Sequence, residues 1–279
     1  MSQAHAAEDL LTLLKLAIQE DIGPGDATSM ACVPADRKAA GTYFARESVV
    51  VAGIEILSSI YHLRGGVDEF EILVHSGEFA QAGQPVATVK GLARTLLECE
   101  RVSLNFVQRL SGIATLARLY ADAVEGTKCR VLDTRKTTPG WRRLEKMAAA
   151  AGGVVNHRMG LYDAILIKNN HITAAGGVRQ ALERCKGMDL PVEIEVRTPA
   201  ELQEALDFGA THLLLDNLTP EEAREWIATI NNRATVELSG NIRLDTVRAY
   251  AETGADYISS GAITHGARSV DFNFRIELL

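Results

Sequence analysis

Six short apolar runs in the second half of the chain each close on charged or small polar residues. RVLD is followed by Thr134, Arg135 and Lys136, and AILI leads into Lys168, Asn169, Asn170 and His171. VEIEV carries Glu193 and Glu195 at alternate positions, so in a strand both carboxylates face one way. LLLD ends on Asp216 and Asn217, VEL on Ser239, Gly240 and Asn241, and YISSG on Ser259, Ser260 and Gly261, with His265 beyond. Guanidinium and ammonium groups suit carboxylates and phosphates, Arg through paired hydrogen bonds and Lys as a point charge. Ser-Gly turns present backbone N–H groups with little bulk, a cradle for a phosphate. Carboxylates beside a polyphosphate hold Mg²⁺ or hydrogen-bond a ribose diol, which is the expectation for Glu195 and Asp216.

The charge distribution sharpens this. The 279 residues carry a formal charge of -7, which argues against nucleic-acid coating and against binding to anionic membranes. Residues 128–168 alone hold nine basic and three acidic residues, a net +6, leaving -13 for the remainder. Arg142, Arg143 and Lys146 follow Pro139 at helical spacing and read as the wet face of a helix. Arg135, Lys136, Arg158 and Lys168 lie at or beside strand ends and read as a pocket for a small polyanion.

Chemistry at strand ends needs elements that bring those ends together. Apolar runs at 130–132, 164–167, 192–196, 212–215, 235–238 and 256–258 alternate with helical stretches such as PAELQEALDFG and TPEEAREWIATIN. That pattern predicts repeated βα units on a parallel sheet, and a barrel-like or partly open form fits better than a doubly wound sheet. No GxGxxG follows the first strand. Upstream, residues 8–20 have helical periodicity and DIGPGDATS breaks the helix. Residues 39–92 read as short β runs spaced by Gly77, Gly83 and Gly91, and 93–124 as helix again. The β texture resembles a lipoyl or biotinyl hammerhead, but HSGEFAQAGQPV lacks the lysine that a carrier turn would use. The scattered Cys32, Cys99, Cys129 and Cys185 form no metal or disulfide pattern. The N-terminus lacks signal-peptide charges and no run is long enough to span a membrane, so a soluble cytoplasmic protein is expected.

DTRKTTPGWRRLEKMAAAAGGVVNHRMGLYDAILIKNNHI, 133–172, closely resembles the quinolinate phosphoribosyltransferase family. The likeness continues through VEIEVRT, LLLDNLTPEE, VELSGNI and ADYISSGAITHGARSVDFNF, and includes GDATS and ECERVSLNFVQRLSGIAT. It implies a homodimer whose chain has an N-terminal α/β sandwich domain, 1–112, joined by a C-terminal tail, 269–279. An incomplete, open α/β barrel of TIM-like type, 113–268, would follow the first domain. The implied reaction joins phosphoribosyl pyrophosphate to quinolinate with Mg²⁺, releasing pyrophosphate and CO₂ and giving nicotinate mononucleotide for NAD synthesis. By this resemblance Thr134, Arg135, Lys136, His157, Arg158 and Lys168 match the substrate site, and Arg101 matches an arginine supplied across the dimer interface. Glu195 and Asp216 match the acidic pair near ribose and metal. Ser239, Gly240, Asn241, Ser260, Gly261 and His265 match the phosphate end. Lys136, Lys168, Glu195 and Asp216 are the expected catalytic set, with Lys168 or a water as proton donor. Three readings compete: a paralogue acting on another acceptor, such as the molybdenum-utilisation homologues; a Schiff-base aldolase using Lys168; and a non-catalytic metabolite sensor or carrier.

Overall fold

The computed structural model describes residues 3–279, with side chains from residue 8 onward; residues 1 and 2 of the expected first domain lie outside the described residues. The chain divides into two compact units, one running to Leu116 and including Ala267–Leu279, the other Ala117–Gly266.

The first unit starts with helices α1 (Gln3–Ile22) and α2 (Ala27–Cys32), separated by the Gly-Pro-Gly break. Asp26 caps α2 by accepting the N–H groups of Thr28 and Ser29 at 3.0 and 3.1 Å, so GDATS begins a helix as well as ending one. Strands β1 (Lys38–Ala45), β2 (Val49–Val50), β3 (Glu69–Ile72), β4 (Phe79–Ala80) and β5 (Pro85–Leu92) follow, with helix α3 (Ile56–Leu63) among them and α4 (Ala93–Ala123) after them. The final strand of the chain, β12 (Phe272–Leu278), completes an antiparallel sheet ordered β12-β1-β5-β3. β1 alternates buried and less buried residues, as a half-covered antiparallel strand must. Gly41 is glycine because the Phe274 ring lies across it; a Cβ there would sit 2.0 Å from that ring. Helix α3 lies between the β runs, because Ile56, Leu57, Ile60 and Tyr61 bury one helical face, as suits a small α/β module. One expectation needs correction. Gly91 is no turn: it pairs with Ala39 inside β5 and lies against Val67.

The second unit contains β6 (Arg130–Leu132), β7 (Ile165–Ile167), β8 (Val192–Val196), β9 (His212–Asp216), β10 (Thr235–Ser239) and β11 (Tyr257–Ser259). All six are parallel, in the order β6-β11-β10-β9-β8-β7. Each strand from β7 to β11 lies beside the next, and the last then pairs with the first. That order is the one an open barrel has, with no ladder between β6 and β7 among the described residues. Helices α5 (Arg142–Ala151), α6 (Asn169–Ala175), α7 (Val178–Cys185), α8 (Pro199–Asp207), α9 (Pro220–Ile230), α10 (Val247–Ala251) and α11 (Ala262–His265) fill the connections. Their starts follow local rules: Thr198 and Thr219 cap α8 and α9, each with Pro at the start of the helix. Because the strands are parallel, all six C-terminal ends open on one side. Their apolar cores, such as Ile194, Leu213, Leu215, Val236 and Ile258, are buried.

Candidate active site

A cavity of about 600 Å³ lies at those C-terminal ends. Strand periodicity explains its lining. Leu166 with Lys168, Leu214 with Asp216, Glu237 with Ser239, and Ser259 with Gly261 are alternate positions that share one face of the sheet. Thr134, Arg135, Lys136, His157, Arg158, Gly240, Asn241, Ser260 and His265 also line it. Of the residues expected at the site, Glu195 and Arg101 do not. Glu195 is buried and accepts a hydrogen bond from Lys168 Nζ at 3.1 Å, while Arg101 is exposed on α4 in the first unit.

The cationic side rests on a buried network. Asp133 and Lys146 form an ion pair whose side chains are 0% exposed. Lys146 also donates to the His157 carbonyl at 2.9 Å. Asp133 accepts the His157 N–H at 2.8 Å and the Asn156 amide at 2.7 Å. The two charges thus grip residue 157 by both backbone groups. Burial pushes the Asp133 carboxyl up and the Lys146 ammonium down, and their mutual attraction opposes both shifts. The wet-face reading of Lys146 is therefore corrected. Helical spacing aims it inward, where Asp133, the residue after β6, supplies its counter-charge. Arg142 is corrected as well: it is half-buried and donates to Thr137 Oγ1 at 3.1 Å and to the Met159 carbonyl at 3.3 Å, tying two loops. Arg143 is exposed.

Arg158 is anchored through Nη1 to the Ala164 carbonyl at 3.0 Å. Asp163 folds the intervening loop by accepting the N–H groups of Met159 and Gly160 at 2.6 and 3.0 Å. Burial opposes ionisation of Asp163, but these bonds hold its carboxyl below the usual range. Under the same loop, His157 Nε2 lies 3.5 Å from a Glu193 oxygen and 3.4 Å from a Glu237 oxygen. Burial alone would lower the histidine pKa, yet hydrogen bonds and charge from the two glutamates outweigh it and raise it to about 9.

Another part of the wall is made of backbone. Asp216 accepts Ser239 Oγ and Asn217 Nδ2, each at 2.6 Å. Asn217, Gly240 and Asn241 have φ of 59°, 99° and 51°. A Cβ on Gly240 would fall 2.3 Å from Asn217 Oδ1 and 2.6 Å from its backbone nitrogen, so these two strand ends interlock only through a glycine. Gly261 leaves room for Lys136 and His265, which a Cβ would meet at 2.7 and 3.1 Å. Ser260 places its hydroxyl on the Ile242 carbonyl at 2.8 Å, so it braces the loop.

Sequence reasoning passed over Glu237 and Arg243, both on the cavity wall. Glu237 was readable: it lies two residues before Ser239 and therefore on the same strand face. Arg243 comes from loop curvature and leaves no periodic signal.

Family models match both parts of the chain: "Quinolinate phosphoribosyl transferase, N-terminal domain" over residues 26–111 and the corresponding C-terminal domain over 113–275. A nicotinate-nucleotide pyrophosphorylase [carboxylating] of Mycobacterium leprae is 41% identical, over 92% of this chain and 94% of that protein. The chloroplastic enzyme of that name from Oryza sativa subsp. japonica is 38% identical, over 98% of this chain and 79% of that protein. The crystal structure of NadC from Streptococcus pyogenes superposes with a TM-score of 0.93 at 35% identity, covering 100% of this chain and 99% of that one.

Proposed function

Because the chain belongs to the quinolinate phosphoribosyltransferase family, we propose that the cavity at the open strand ends is where its reaction takes place. The enzyme transfers phosphoribose from phosphoribosyl pyrophosphate to the nitrogen of quinolinate with loss of CO₂. The product is nicotinate mononucleotide, for NAD biosynthesis. One observation carries the assignment: Arg135, Lys136, Arg158 and Lys168 line the same cavity as the Ser239-Gly240 and Ser260-Gly261 loops.

The two sets suit two different anions. Quinolinate has two carboxylates, which call for several converging cations. A phosphate monoester is met well by backbone N–H groups with glycine bulk. As ribose C1 parts from pyrophosphate, positive charge grows on the sugar and negative charge on the leaving group. Asp216, oriented by its two hydrogen bonds, faces the former, and lysine or arginine ammonium and guanidinium groups face the latter. The buried Glu195 holds Lys168 in place through the hydrogen bond it accepts from Nζ.

Mg²⁺ is part of the proposal. Asp216 lies on the cavity wall and keeps lone pairs free beyond its two hydrogen bonds, so it fits a cation carried in by the substrate's phosphates. Glu195 fits less well, since it is off the wall and paired with Lys168. When bound, the ion supplies positive charge against the departing pyrophosphate. A homodimer in which Arg101 reaches the partner's cavity, and a cytoplasmic location, complete the reading. No helix among the described residues is long and apolar enough to cross a membrane.

Protein incubated with quinolinate, phosphoribosyl pyrophosphate and Mg²⁺ is expected to release CO₂ and form nicotinate mononucleotide. Use of nicotinate with quinolinate ignored would sink the assignment. The shared site has its own test: inactive Arg101→Ala and inactive Lys136→Ala subunits, mixed under exchange, are expected to regain activity. Exchange without recovery would remove the dimeric site.

A further inference from the structure

The permanent cations of the cavity wall are unevenly placed. Arg135, Lys136, Arg158 and Lys168 all stand between the end of β6 and the start of α6. The loops after β9, β10 and β11 bring a single arginine or lysine to the wall, Arg243. It lies three residues beyond Gly240, on the loop that the proposed function gives to a phosphate monoester. Such a phosphate carries about two negative charges at neutral pH, and backbone N–H groups answer it with partial charges alone. Lys136 reaches this end as well, since a Cβ on Gly261 would lie 2.7 Å from its Cδ, but it is rooted after β6.

The backbone of residue 243 is fixed while its side chain is loosely held. Its N–H donates to Thr246 Oγ1 at 3.0 Å, and its carbonyl accepts the N–H groups of Thr246 and Val247 at 3.0 and 2.8 Å. The neighbouring Ile242 carbonyl accepts Ser260 Oγ at 2.8 Å, which ties this stretch to the loop after β11. The guanidinium, by contrast, belongs to a side chain 71% exposed, and its ion-pair partner Asp245 is 68% exposed. Nε and Nη2 donate to the two Asp245 oxygens at 3.2 and 3.3 Å, and Nη1 has no hydrogen-bond partner among the described residues. An exposed pair of this kind is weak, because water competes for both charges. A phosphate offers the same planar fork more charge and more oxygens, so a change of partner is favourable.

We infer that Arg243 is a phosphate-binding residue: as substrate enters, its guanidinium leaves Asp245 and closes on the phosphate monoester cradled by the Ser239-Gly240 and Ser260-Gly261 loops. The inference rests on the reading of the function given above. Asp245 holds the side chain at the cavity rim until the phosphate takes it over, and the fixed backbone at 243 keeps the swing short. The monoester then depends on an arginine that the carboxylates of quinolinate do not use.

Ribose 5-phosphate and pyrophosphate each carry one end of the co-substrate and serve as separate probes in calorimetry. Arg243→Gln is expected to weaken ribose 5-phosphate about tenfold, the scale of a lost charge-assisted hydrogen bond, and to raise KM for phosphoribosyl pyrophosphate by a similar factor. Pyrophosphate affinity and the KM for quinolinate should stay within about twofold of wild type. Arg243→Lys keeps the charge without the fork and should recover part of the loss. Asp245→Asn removes the competitor and should tighten ribose 5-phosphate about threefold. Wild-type ribose 5-phosphate affinity in Arg243→Gln would overturn the inference. So would a loss shared equally by pyrophosphate or quinolinate, which would mark Arg243 as a general source of positive potential. Unchanged ribose 5-phosphate affinity in Asp245→Asn would overturn the change of partner. Wild-type protein that binds ribose 5-phosphate but forms no nicotinate mononucleotide would overturn the underlying function instead, a result distinct from these.

Discussion

The two halves of the cavity wall are built on different physical principles. Between β6 and β7 the work is done by charged side chains standing on a buried polar network: Asp133 with Lys146, and His157 with Glu193 and Glu237. At the ends of β9, β10 and β11 it is done by backbone, with left-handed Asn217, Gly240 and Asn241 meshed at close range. A buried charge is costly unless every partner is in place, so the first half should fail through stability. A backbone cradle fails through geometry, leaving the fold largely intact. The two halves should therefore separate when each is perturbed.

The largest effect is expected from Lys146→Met. It strands the Asp133 charge in a dry site and should cost about 3–5 kcal/mol in urea unfolding. A loss below about 1 kcal/mol would mean the pair does not support the cationic half. Next comes pH. The two glutamates beside His157 raise its imidazole to about 9 in the folded protein, against 6.5 for a free histidine. A raised folded value means the stabilisation is complete below pH 6.5 and is lost as pH rises through about 9. The fall over that window should be about 3 kcal/mol, since each tenfold gain in proton affinity on folding is worth about 1.4 kcal/mol. Glu193→Gln should flatten it, and an equal slope in the variant would discount the cluster. The smallest stability effect should come from Gly240→Ala, at about 1–3 kcal/mol of local strain. Its signature is a KM for phosphoribosyl pyrophosphate raised about tenfold or more, with quinolinate affinity changed far less. Equal losses for both substrates would show that the two halves are coupled.

Much of this arrangement was legible in advance. The apolar runs anticipated all six strands of the second unit, because parallel strands buried on both faces must be apolar throughout. Their terminal residues anticipated most of the cavity wall, because parallel strands open on one side. The first unit was harder to read: α3 is short and flanked by β runs, and Gly91 serves packing against Val67 instead of a turn.

What the sequence determined by itself was local and periodic. Alternation set Glu193 beside Glu195 and Leu214 beside Asp216 on shared strand faces, the family motifs identified the reaction, and the +6 segment within an acidic chain located the cations. The tertiary structure decided which of those charges meet. Lys146 becomes an interior counter-ion because α5 turns it toward Asp133, 13 residues away in the chain. Glu237 reaches His157 because β10 and β6 both flank β11 in the sheet. Whether a charge is solvated or shared depends on neighbours brought up by long-range packing, and no local pattern encodes those distances.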